Sequence, residues 1–115
     1  NKPSDSLTGK RVHPLFIAHE ETGRTALYAS RLITTRIEGL PSDESDEILE
    51  QICEISEREE FVYEHAWTPG DLVMWDNRCL LHRAIGYDMA THRRVLRRTT
   101  VAGVGPIVGP FSVAP

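Results

Sequence analysis

Two alternating apolar segments joined by Thr68-Pro69-Gly70-Asp71 constrain this chain more than any other feature. Before that tetrapeptide, Phe61-Val62-Tyr63-Glu64-His65-Ala66-Trp67 sets large side chains at every second position; after it stands Leu72-Val73-Met74-Trp75-Asp76. A period of two belongs to strands, whose successive side chains face opposite sides. Proline presets φ at the second turn position and glycine tolerates a positive φ at the third, so the four residues form a tight turn.

The same pattern recurs along the chain. Residues 12–17 and 25–28 read as strands of a hairpin closed by His19-Glu20-Glu21-Thr22-Gly23-Arg24, with Gly23 as the left-handed turn residue. Residues 32–37 suit a short strand or an extended loop, 80–84 continue the strand after Asp76, and 95–101 form a last strand rich in Thr and Arg. One segment breaks the pattern. Ile48, Leu49, Ile52, Cys53 and Ile55 recur at helical spacing, which predicts a helix over 45–56. Ser42 or Asp43 would cap it, and Glu44, Asp46 and Glu47 favour its positive end. Six or seven short strands around one helix give a mostly β fold, a sandwich or barrel with a helical insertion.

Length limits this to one domain: 115 residues, 40% apolar and 26% charged, can bury a modest core. Residues 1–10 are polar and read as a linker or loose end. The chain opens on Asn1 rather than Met, which reads as a piece of something longer. A net charge of −4 argues against nucleic acid as a partner, and no apolar run has membrane length. Cys53 and Cys79 show neither metal spacing nor a disulfide framework, so a reducing cytoplasm is the expected location.

The chemistry-bearing residues lie late in the chain. His82 ends the strand-like stretch that begins at Trp75, and Arg93, Arg94, Arg97 and Arg98 follow. On a strand Arg94 and Arg98 share one face, about 13 Å apart at about 3.3 Å per residue. A guanidinium turned into a barrel is costly without an anion, and two carboxylate-bearing ligands would supply two. The same pattern also fits surface arginines paired with some of the seventeen acidic residues.

Several stretches, taken in order, resemble the taurine dioxygenase (TauD/TfdA) family of iron(II)- and 2-oxoglutarate-dependent enzymes. They are His13-Pro14 leading into His19-Glu20-Glu21-Thr22-Gly23 and Ala26-Leu27-Tyr28; Thr34-Thr35-Arg36-Ile37; residues 67–78, ending in Trp75-Asp76-Asn77-Arg78; His82-Arg83-Ala84; and residues 93–98. The resemblance implies that residues 11–115 are the C-terminal portion of a single jelly-roll (double-stranded β-helix) catalytic domain whose N-terminal part is absent. It implies Fe(II) as metal and 2-oxoglutarate as co-substrate. The reaction would be hydroxylation of a small anionic compound by O2, with release of succinate and CO2. Sulfonates, sulfate esters, phenoxy acids and carboxylates are the substrate classes in view, and a homo-oligomer is left open.

Residue by residue, His82 matches the second histidine of a two-histidine, one-carboxylate iron site, which makes it the catalytic metal ligand here. Arg94 matches the arginine that binds 2-oxoglutarate, and Arg98 the one near the substrate's anionic group. The His82–Arg94 gap is one residue longer than in the taurine enzyme, which leaves Arg93 as the fallback. Ile33 stands where that enzyme has a substrate-side aromatic, which argues against taurine itself. Trp75, Asp76 and Asn77 are assigned packing and turn hydrogen bonds. His19-Glu20-Glu21 has the His-x-acid form of the family's first two ligands, but it stands too near His82 and matches a hairpin turn. The expected pair therefore precedes Asn1. His13, His65 and His92 read as non-ligands. The alternative to all of this is a catalytically inactive β-sandwich binding or interaction domain.

Overall fold

The computed structural model describes residues 11–103, 105 and 107–110. The linker expected at 1–10 lies outside them. Strand β1 (Phe16–Ala18) pairs antiparallel with β2 (Thr25–Leu27), in the register Phe16↔Leu27, Ile17↔Ala26, Ala18↔Thr25. Tyr28 N–H extends the ladder to Leu15 O at 2.7 Å, and His19 N–H closes the turn on Arg24 O at 2.9 Å. Gly23 sits at φ 68°, the left-handed conformation that the hairpin needs. The outer edge of β1 receives the end of the chain: Ala18 N–H donates to Val108 O at 3.0 Å. Ile17 lies buried between these neighbours.

Helix α1 (Ser42–Ser56) starts one turn earlier than expected, at the residue after Pro41. Ser42 and Asp43 fall inside it and no side chain caps it; Pro41 O takes the first helical bond, from Ser45 N–H at 2.9 Å. Its inward stripe is Ser45, Leu49, Ile52, Cys53 and Ser56, while Ile48 and Ile55 turn outward. Ser45 is fully buried because its hydroxyl accepts Ile37 N–H at 2.8 Å, tying the preceding loop to the helix. Arg31 fastens the same loop through Glu50 at 2.6 Å and Glu57 at 3.1 Å.

Beyond a 3-10 turn at Glu59–Phe61, the chain departs from the expected strands. The Thr68–Asp71 turn is present: Gly70 has φ 91°, and Asp71 N–H donates to Thr68 O at 3.1 Å. Yet none of 61–67, 72–76, 80–84 or 95–101 forms a ladder among the described residues, and 32–37 is turn and loop. Among the described residues the sheet is the two-stranded β1–β2 ladder beside one α-helix, so a full jelly roll is not shown there. Alternation fixes which side chains share a face but not which strand supplies the next ladder. Leu72, Met74 and Val101 are 93%, 90% and 88% exposed. The chain exposes 11198 Å², where a folded monomer of this length exposes about 6,300 Å².

Candidate active site

Asp76 is the hub from which the site is built. Its main-chain oxygen accepts Leu80 N–H at 3.0 Å and Cys79 N–H at 3.3 Å, turning the chain just before His82. Its Oδ1 accepts Arg78 N–H at 2.9 Å and Arg78 Nε at 3.0 Å, and its Oδ2 accepts Arg78 Nη2 at 2.8 Å. This two-pronged grip of the Arg78 side chain, joined by the Arg78 amide and by His19, holds the carboxyl well below the usual carboxylate range. Arg78 reaches on to Glu20 at 3.2 Å and Glu21 at 3.6 Å.

His19 completes the hub from the hairpin. Its Nδ1 accepts both Thr22 N–H at 3.3 Å and the Thr22 hydroxyl at 3.0 Å. The ring proton therefore sits on Nε2, which donates to Asp76 Oδ2 at 3.0 Å. His19, Asp76 and Cys79 place donor atoms within 4.8 Å of one another. A cation there would have to displace a guanidinium that already holds both carboxylate oxygens, so the arrangement suits a clamp better than a metal centre.

Trp75 of the Trp-Asp-Asn-Arg motif packs against His82. The Trp75 ring lies 4.7 Å from the His82 ring, tilted by 46°, and Trp75 Nε1–H donates to Asn77 Oδ1 at 2.9 Å. His82 is exposed, and among the described residues neither of its ring nitrogens makes a hydrogen bond. His65 differs: Nε2 meets Asp71 at 3.0 Å, Nδ1 meets the Tyr63 hydroxyl at 3.4 Å, and Trp67 packs on its ring. His13 stacks edge-on against Tyr28.

Arg94 lies over the Tyr87 ring, its guanidinium carbon 5.8 Å from the ring centre. Both border a cavity of about 250 Å³. Between them, His92 N–H donates to Asp88 O at 3.0 Å, and the Asp88 carboxylate holds Ala90 N–H at 2.9 Å and the Thr91 hydroxyl at 2.6 Å. Those bonds also keep the Asp88 carboxyl below its ordinary range. Arg93 and Arg98 are exposed, and no arginine of 93–98 is ion-paired among the described residues. His82, Arg94 and Arg98 thus share no direct bond. A recess of about 620 Å³ at Arg58, Glu59 and Glu60 carries no feature of a reacting centre. The His19–Asp76 link escaped the sequence reading; the one signal for it was a histidine inside a hairpin, where a buried ring needs partners at both nitrogens.

The family model described as "Taurine catabolism dioxygenase TauD, TfdA family" matches residues 1–100. An alpha-ketoglutarate-dependent 2,4-dichlorophenoxyacetate dioxygenase of Burkholderia sp. (strain RASC) is 46% identical over 90 residues, covering 78% of this chain and 30% of that protein. An (S)-phenoxypropionate/alpha-ketoglutarate-dioxygenase of Sphingobium herbicidovorans is 41% identical over 92 residues, 80% of this chain and 31% of that protein. A pentalenolactone F synthase of Streptomyces arenae is 40% identical over 97 residues, 84% and 31%. The chain thus spans under a third of the length of these relatives. No solved structure matches.

Proposed function

Since this chain belongs to the taurine catabolism dioxygenase TauD, TfdA family, we propose that the whole protein is an iron(II)- and 2-oxoglutarate-dependent dioxygenase. It converts a small organic anion, 2-oxoglutarate and O2 into the hydroxylated product, succinate and CO2. The observation that carries the reading is His82: an imidazole braced on Trp75, with both nitrogens unengaged by the described residues, inside the family-matching segment. The names of two similar proteins carry phenoxy acids, which makes an aryloxy or related carboxylate the substrate class of choice.

Imidazole is a suitable donor for iron, and His82 is one ligand of the expected set; the His-x-carboxylate pair is assigned upstream of Asn1. When bound, the iron supplies the activation of O2 against 2-oxoglutarate. The chain's own residues position and hold. His82 would coordinate through the lone pair of a ring nitrogen. Arg94 presents a planar fork of donors to the far carboxylate of 2-oxoglutarate, and Arg98 meets the anionic group of the substrate. The Asp76 hub fixes the turn leading to His82. Among the described residues no helix is long and apolar enough to cross a membrane, and small molecules are the assigned partners.

The test is anaerobic titration of the full-length protein with iron(II) and 2-oxoglutarate, following the weak visible band of the chelate. His82→Ala removes the band. Absence of a band in the unsubstituted protein, with metal shown not to bind, overturns the reading in favour of a binding domain.

A further inference from the structure

Two arginines in this chain are held in opposite ways. Arg78 spends its donors on Asp76, Glu20 and Glu21. Arg94 has no carboxylate partner among the described residues, yet it is half-buried where its neighbours from 79 to 103 are exposed. What covers it is the Tyr87 ring, 5.8 Å from the guanidinium carbon to the ring centre, inside the reach of a cation–π contact. A ring face attracts a guanidinium without consuming a hydrogen-bond donor, whereas a carboxylate occupies the fork. Arg94 is therefore both located and left with its donors open, beside a cavity lined by Ala84, Ile85, Gly86 and Met89.

The intervening loop builds this contact. Asp88, the acid nearest Arg94 in the sequence, turns its two carboxylate oxygens onto Ala90 N–H and the Thr91 hydroxyl. With His92 N–H on Asp88 O, that turn folds the chain back so that Tyr87 and Arg94 meet. The acid that could have neutralised Arg94 is instead occupied in shaping the loop.

We infer that Tyr87 is a positioning residue for 2-oxoglutarate: its ring face holds the Arg94 guanidinium ready for the far carboxylate. The inference rests on the dioxygenase reading above and assigns Tyr87 no contact with the reacting atoms.

The test uses the full-length protein, with Tyr87→Leu, Tyr87→Phe, Arg94→Ala and the Tyr87→Leu/Arg94→Ala double variant. Anaerobic titration of the visible band gives the affinity for 2-oxoglutarate, and steady-state kinetics separate KM from kcat. Tyr87→Leu should weaken 2-oxoglutarate by about three- to ten-fold, the loss falling on its KM rather than on kcat. Tyr87→Phe, which keeps the ring, should stay within about two-fold of the parent. In the background of Arg94→Ala the leucine should cost nothing further, because the cation it served is gone. Unchanged affinity in Tyr87→Leu, a phenylalanine variant as weak as the leucine one, or additive losses in the double variant would each overturn the inference. A parent without any band overturns the dioxygenase reading, and this inference with it.

Discussion

His19 and Asp76 stand 57 residues apart in the chain and share a hydrogen bond of 3.0 Å from Nε2 to Oδ2. Through it the β1–β2 hairpin is fastened to the turn that precedes His82. The bond is directional in a defined sense, because Thr22 occupies the other ring nitrogen.

Replacing His19 tests whether it is a clamp or a ligand. His19→Ala in the full-length protein should cost about 0.5–1.5 kcal/mol in urea unfolding, by removing the hydrogen bonds that its buried ring makes to Asp76 and Thr22. His19→Gln, whose amide nitrogen can still donate to Asp76, should recover part of that. Iron stoichiometry should stay the same in both. Normal stability with lost iron would make His19 a ligand instead.

Asp76 sets an acid limit on stability. Its carboxyl titrates below the ordinary range in the folded protein, chiefly through hydrogen bonds from the Arg78 side chain. A depressed folded pKa means the contribution is complete above the ordinary carboxylate value of about 4 and fades as pH falls below it toward the folded pKa. The stability gap between the parent and Asp76→Asn should therefore be constant from pH 7 to pH 5 and narrow below about pH 4. Melting curves across that range check it; a gap independent of pH would remove Asp76 as the titrating group.

The three arginines should separate by ligand. Arg94→Ala should weaken 2-oxoglutarate by about 10- to 100-fold, the worth of a charge-assisted fork. Arg93→Ala should leave it near the parent value, and Arg98→Ala should raise the KM of the organic substrate alone. If the large effect falls on Arg93, the assigned register is off by one residue.

Trp75 braces the His82 ring at 4.7 Å. Trp75→Leu should therefore lower iron(II) affinity by on the order of 10-fold, as loss of support around a ligand does. Competition with a coloured chelator measures it. Undiminished affinity would mean that the ring contact does not orient the ligand.

What could be read from the sequence was local. The Gly23 hairpin, the Pro69-Gly70 turn and the helical stripe each follow from residues within a few positions of one another. The helix begins at Ser42, directly after Pro41, without a side-chain cap, so the capping signal at Ser42 or Asp43 set its start too late. The strands of 61–101 failed to pair because alternation is a property of one segment, while a ladder needs a second. His82, Arg94 and Arg98 were singled out by motif, but what surrounds them came only from geometry. Asp76 was read as a turn residue, which its bonds to Arg78 and Leu80 bear out, but its bond to His19 and the Tyr87–Arg94 contact depend on chain reversals rather than spacing.

The large uncovered apolar area of residues 61–101 bears on how this segment can be used. It carries the proposed metal ligand and the two arginines proposed to bind anions, yet its own burial cannot offset the entropy of ordering it. Leu72, Met74 and Val101 stand almost wholly exposed, so cooperative folding of this segment would need surfaces outside it to cover them. It is therefore a poor self-standing module to graft between proteins, and changes at any such covering surface would reach the proposed iron ligand without touching it.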